Sequence, residues 1–174
     1  IPVITMRSFA DEKKMKTFRL LLSSPVPLRE IVFGKFLSCM IVVTVMVLIS
    51  SYSVGFLFLL GNPEIGPIVT GYLGVILMAG CYVSVGVFAS SLTDNQIVAA
   101  VLTFGFSLFM WVIGWGAQAA GATTGQVLQF LSIVDHMDRF LKGMVDTSDL
   151  VYYLSFILLS LFLCHRVLDS NRWR

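Results

Sequence analysis

The chain has 174 residues, of which 57% are hydrophobic and 13% charged, where a soluble domain carries roughly 25% charged residues. Three stretches hold no Asp, Glu, Lys or Arg, residues 36–63, 65–93 and 95–134, and a fourth apolar stretch covers 150–164. A helix needs about 20 apolar residues to cross a hydrocarbon core about 30 Å thick, so this composition excludes water as the main solvent and predicts an all-α polytopic membrane protein with about four spans.

In chain order, Ile1-Pro2-Val3-Ile4-Thr5-Met6 reads as the tail of an apolar element, and the chain is expected to be the C-terminal part of a longer one. Residues 1–30 form a polar loop. Within it Met15, Phe18, Leu21 and Leu22 recur at the spacing of one helical face, until Pro25 and Pro27 stop the helix. The transmembrane domain is expected over 31–168. Its first span covers 31–60, a tight turn follows at 61–66, and the second span covers 67–89. The pairs Ser51/Gly55, Gly80/Ser84 and Gly86/Ser90 stand four apart, which lets helix backbones approach closely where lipid gives no hydrophobic drive.

Thr93 and Gln96 form a capping-box pattern that opens a third span at 97–115. A break is expected over 116–125. From 126 to 145 the apolar positions Val127, Phe130, Leu131, Val134, Met137, Leu141 and Met144 keep helical spacing, which predicts one amphipathic segment on or partly within the outer surface. The last span covers 150–168, with Tyr152 and Tyr153 expected at the outer headgroup level. A short tail, 169–174, follows.

Charge sets the orientation. Arg7, Lys13, Lys14, Lys16, Arg19, Arg29 and Lys35 precede the first span, and Arg166, Arg172 and Arg174 end the chain. The positive-inside rule then places both ends in the cytoplasm, which demands an even number of spans and predicts a multi-pass protein of the inner (plasma) membrane.

Several chemistries lack their parts. Gly34-Lys35-Phe36 has neither the glycine spacing nor the hydroxyl of a phosphate-binding loop, so the chain is not expected to hydrolyse ATP or to bind a cofactor of its own. No serine stands in a Gly-x-Ser-x-Gly elbow. Asp135, His136 and Asp138 suggest a metal, but His136 and His165 are the only histidines, too few for a ready ligand set. Cys39, Cys81 and Cys164 lie in apolar runs, where a thiol behaves as a small hydrophobe. No ionisable group sits in the middle of a span to serve a proton relay. Neither an enzyme nor a nucleic-acid partner is indicated.

Three blocks resemble one family. The first is Met6-Arg7, Glu12, Thr17, Leu21-Leu22 and Pro25, leading to Gly34-Lys35. The second is Gly86-Val87-Phe88-Ala89-Ser90-Ser91-Leu92-Thr93 with Gln96 and Ala99. The third is Phe140, Gly143, Asp146, Asp149, Tyr152-Tyr153 and Arg172-Trp173. Together they resemble the ABC-2 type permeases, the membrane subunits of ATP-binding-cassette exporters, in the branch of the gliding-motility and nitrous-oxide-reductase-maturation permeases. The chain departs from that pattern at Lys16, where glycine is usual, and at Arg19, where an acid is usual.

The resemblance implies that these four spans are the last four of six. It implies two permease chains, as a homodimer, and separate cytoplasmic ATPase subunits that carry the ATP and magnesium. The first block then corresponds to the coupling helix, with Glu12, Thr17, Phe18, Arg19, Leu21, Leu22 and Pro25 toward the ATPase. The function implied is a permease exporting an unread substrate. A membrane component that passes ATPase strokes to extracytoplasmic machinery without moving a solute is the alternative.

Overall fold

The computed structural model describes residues 1–15, 27–61, 63–119 and 122–172. Among these residues every regular element is a helix, as the composition predicts. Two short helices, α1 (Pro2–Thr5) and α2 (Ala10–Lys14), open the chain. Pro27, extended at φ −65° and ψ 139°, is the N-cap of α3 (Leu28–Ser50), because proline pre-sets its own φ and keeps its predecessor out of helix.

The first span is two helices rather than one. At Ser51 the hydroxyl donates back to the Leu48 carbonyl at 2.6 Å, and the chain resumes as α4 (Tyr52–Leu60). Helix α5 (Ile65–Leu92) follows, with Pro67 in its first turn, where the backbone N–H groups have no intrahelical acceptor to lose. Helix α6 (Gln96–Ala119) starts from a different cap than the sequence suggests. Asn95 Oδ1 accepts from the Ile97 amide at 2.9 Å, while Thr93 Oγ1 is occupied by the Asn95 amide at 3.1 Å. Asn95 stands next to the first turn, and its amide oxygen takes it.

The amphipathic segment expected over 126–145 is also two helices, α7 (Ala122–Leu131) and α8 (Ile133–Leu141), separated at Ser132. Ser132 Oγ accepts from the Asp135 amide at 3.2 Å and starts α8 as its N-cap. The break turns the apolar face. Ile133, His136, Met137 and Phe140 become buried, whereas Phe130, Leu131, Leu141 and Met144 are exposed. Gly143 ends α8 at φ +81°, with its amide on the Phe140 carbonyl and the Met144 amide on the Arg139 carbonyl, both at 3.1 Å. This is the paired closure of a left-handed helix stop, which glycine adopts without a Cβ penalty. Helix α9 (Thr147–Arg172) completes the chain.

Four helical stretches are long and apolar enough to cross a membrane, Leu28–Leu60, Ile65–Leu92, Gln96–Gly116 and Thr147–Ser170. Helix α5 is their post. It packs against α3, α6, α8 and α9, and its Gly71, Gly74, Gly80 and Gly86 are buried while large apolar side chains of the other three face outward. At one end Phe9, Val32, Phe36, Cys39, Val83, Val87, Cys164 and Leu168 form a core, so the N-terminal segment and the end of α9 lie on the same face. At the other end Cys81, Ile133, Met137, Phe140 and Tyr153 form a second. All three cysteines are buried free thiols.

Candidate functional site

The first end carries Arg7, Lys13, Lys14, Arg29 and Lys35, and there the segment preceding the expected coupling helix is bolted to the bundle. The bolt is Ser90, near the end of α5. Its Oγ accepts from the Phe9 and Ala10 amides, each at 3.0 Å, and donates to the Met6 carbonyl at 3.0 Å. Phe9, Ala10 and Ser90 are all fully buried, where an amide without a partner is costly. One turn earlier, Gly86 leaves room for Thr5. A Cβ placed on Gly86 would stand 2.6 Å from Thr5 Cβ, inside the threonine side chain.

Charged groups finish the joint. Lys13 Nζ donates to the Ser91 carbonyl at 2.6 Å, capping the last turn of α5, where the helix dipole favours a cation. Burial pushes the Lys13 ammonium below its ordinary value, and Asp94 at 3.9 Å partly opposes this. Glu12 forms an ion pair with Lys35 of α3, whose ammonium also lies 5.9 Å from the Phe9 ring centre. Ser8 Oγ and Cys39 Sγ meet at 3.4 Å. Residues 5–13 are thus tied to α5 and α3 together.

Of the residues singled out in the sequence, Glu12, Gly86 and Ser90 belong to this joint. Thr17, Phe18, Arg19, Leu21, Leu22 and Pro25 lie outside the described residues. Gly80 sits under Ile157 of α9, whose Cδ1 would be 2.9 Å from an added Cβ, and Ser84 is buried with its hydroxyl on the Cys81 carbonyl at 2.8 Å. Ser51 is exposed, and around Gly55 nothing of the chain comes within 4 Å of an added Cβ. Sequence reasoning missed Thr5, Ser8, Phe9 and Lys13. Their signal is weak, since a short polar stretch looks like a linker until its acceptor is known.

The third block meets at the opposite end. His136 Nδ1 lies 2.6 Å from Asp149 Oδ1, and its Nε2 lies 3.1 Å from the Phe130 carbonyl. Both nitrogens therefore face acceptors, and a ring with one N–H serves only one of them. Arg139 bridges to Asp149 at 3.2 Å and to Asp146 at 3.3 Å. Tyr152 stacks on His136 at 4.1 Å between ring centres and donates to the Leu131 carbonyl at 2.7 Å, while Tyr153 donates to the Ile133 carbonyl at 2.8 Å.

Tyr153 is fully buried within the protein. The Tyr152 hydroxyl satisfies a carbonyl left open where α7 ends at Leu131, and the Tyr153 hydroxyl ties α9 to the first residue of α8. Among the described residues no three metal-ligating side chains converge, and His136 is held between protein acceptors.

The family model described as "ABC-2 family transporter protein" matches residues 1–168. No curated protein and no solved structure matches the chain. With four membrane-length helices, one of them a central post for the other three, and a match over nearly its whole length, the chain belongs to the ABC-2 transporter family, as a multi-pass membrane permease component of an ATP-binding-cassette system.

Proposed function

We propose that this permease works in an export system of the inner membrane, as one of two identical permease chains driven by separate cytoplasmic ATPase subunits that hold the ATP and magnesium. The observation that carries the reading is the joint at Ser90. Residues 17–24, with Phe18, Leu21 and Leu22 as anchors in an ATPase cleft and Glu12, Thr17, Arg19 and Pro25 around them, follow directly on a segment clamped to α5 and α3. A push on those residues is then delivered to the root of two spans. A rigid helix end seated in a partner and fixed to a packed bundle is the arrangement that turns a partner's closure into a tilt of the bundle.

The pairs Ser51/Gly55, Gly80/Ser84 and Gly86/Ser90 are assigned to close packing, and Ser51 with Gly55 faces outward, where a second permease chain would meet it. The test is Leu21→Asp with Leu22→Asp in the full-length protein. Insertion should persist while ATPase co-purification and transport are lost. Unchanged co-purification would overturn the assignment.

A second reading, a stroke transmitter to extracytoplasmic machinery that moves no solute, is favoured by the exposed Phe130, Leu131, Leu141 and Met144 on α7, α8 and the turn that follows. Sealed vesicles holding permease and ATPase, which hydrolyse ATP yet move no solute, would select it.

A further inference from the structure

A groove of about 410 Å³ runs between the start of α3 and the last turns of α9, lined by Arg29, Val32, Phe33, Leu158, Leu161, Phe162 and His165. Its polarity is graded along the membrane normal. Helices α3 and α9 run in opposite directions, so Arg29 and His165 share the mouth at the basic end. Seven residues separate His165 from Leu158, which sets Leu158 about 10 Å deeper. Arg166 adds a second guanidinium beside the mouth, 5.2 Å from the Phe162 ring centre.

Among the described residues neither Arg29 nor His165 has a hydrogen-bond or ion-pair partner, and no acidic side chain lines the groove. Phe33 and Phe162 are 58% and 53% exposed, so an apolar wall opens directly to the surroundings of the spans.

We infer that this groove is a binding site for an anionic phospholipid of the leaflet at the basic end, its phosphate held between Arg29, His165 and Arg166 and one acyl chain laid along Val32, Phe33, Leu158 and Leu161. The charge pattern selects the occupant. A zwitterionic lipid brings its own ammonium to a mouth that already carries two guanidinium groups, whereas an anionic headgroup meets those guanidinium donors without a cation of its own. Basic residues at such a depth gather anionic lipid, and the apolar floor converts gathering into a fixed pose. This inference rests on the spans lying in a bilayer and not on the identity of the ATPase or the cargo.

The test uses the full-length protein, in its assembly with the ATPase, reconstituted in vesicles of mixed phosphatidylcholine and phosphatidylglycerol, with retained lipids weighed by native mass spectrometry. Phosphatidylglycerol should be enriched over its share of the vesicle. Arg29→Gln with Arg166→Gln should lower that enrichment by about fivefold for each charge removed.

Leu158→Trp, which fills the floor and leaves the mouth intact, should release the same lipid without changing assembly. Equal retention in both variants would overturn the site. So would Phe33→Cys forming a disulfide-trapped pair with a second copy, since the groove would then be a protein interface.

Discussion

Ser90→Ala tests the joint most sharply, because one side chain serves three backbone groups. The substitution deletes the acceptor of the Phe9 and Ala10 amides and the donor to the Met6 carbonyl, with little change of volume. A buried amide left unpaired costs about 1–3 kcal/mol. Two such groups plus a carbonyl, allowed to relax together, give about 2–4 kcal/mol against the docked segment. At about 1.4 kcal/mol per tenfold, its release becomes roughly 30- to 700-fold more populated.

The loss is local, since the helical bundle keeps its own contacts. Amide hydrogen exchange of the full-length protein in nanodiscs should show Phe9 and Ala10 exchanging faster by that factor, with α5 itself unchanged. The ATPase should still co-purify, because residues 17–24 are intact, but transport per ATP should fall. Unaltered protection at Phe9 and Ala10, or loss of ATPase binding along with protection, would refute the view that Ser90 holds the joint rather than the partner.

Other substitutions separate close packing from mere presence of glycine. A Cβ at Gly74 would stand 2.8 Å from both Met137 Sδ and Phe140 Cβ, so Gly74→Ala should displace α8 and lower the thermal midpoint by the equivalent of about 1–3 kcal/mol of overpacking. Gly34→Ala meets nothing of the chain within 4 Å and should raise the midpoint slightly, by about 0.5–1 kcal/mol of helix preference. His136→Ala strands the fully buried Asp149 with only Arg139 beside it. Losing a buried hydrogen bond to a carboxylate costs about 1.5–3 kcal/mol. The double variant His136→Ala with Asp149→Ala should recover much of that loss in thermal unfolding, and no recovery would show that the pair is not coupled.

The spans were legible because a charge-free run of 20 or more residues has one structural answer in a bilayer. The resemblance carried the rest of the broad reading, and the family match agrees with it. Finer features failed where two elements share one periodicity. The apolar positions of 126–144 keep step across Ser132, so the break hides inside an unbroken pattern. The signal was present as Ser132-Ile133-Val134-Asp135, a hydroxyl followed three residues later by an acid, which marks a helix start.

The role of His136 was hidden in another way. Its sequence neighbours Asp135 and Asp138 suggested a metal, but its partner Asp149 is thirteen residues on and belongs to the next helix. Gly86 and Ser90 read as a helix-packing pair. Their neighbour is the stretch Thr5 to Ala10, which no spacing rule connects to them.

Both docks lie on one rod. Helix α5, 28 residues and about 42 Å long, receives the N-terminal segment at Gly86 and Ser90 and receives α8 at the other end. There Gly71 and Gly74 lie under Leu141, Met137 and Phe140, and Thr70 donates to the Phe140 carbonyl at 2.7 Å. Small residues occur where a non-spanning element lies across the rod, at each end for the same steric reason. A displacement of the clamped segment by a partner therefore acts on the one helix that also carries the His136–Asp149 cluster. Because the contacts of that cluster form only when α7, α8 and α9 keep their present arrangement, motion of α5 either carries all three or breaks bonds that are costly to break. The far end thus moves as a unit with the rod.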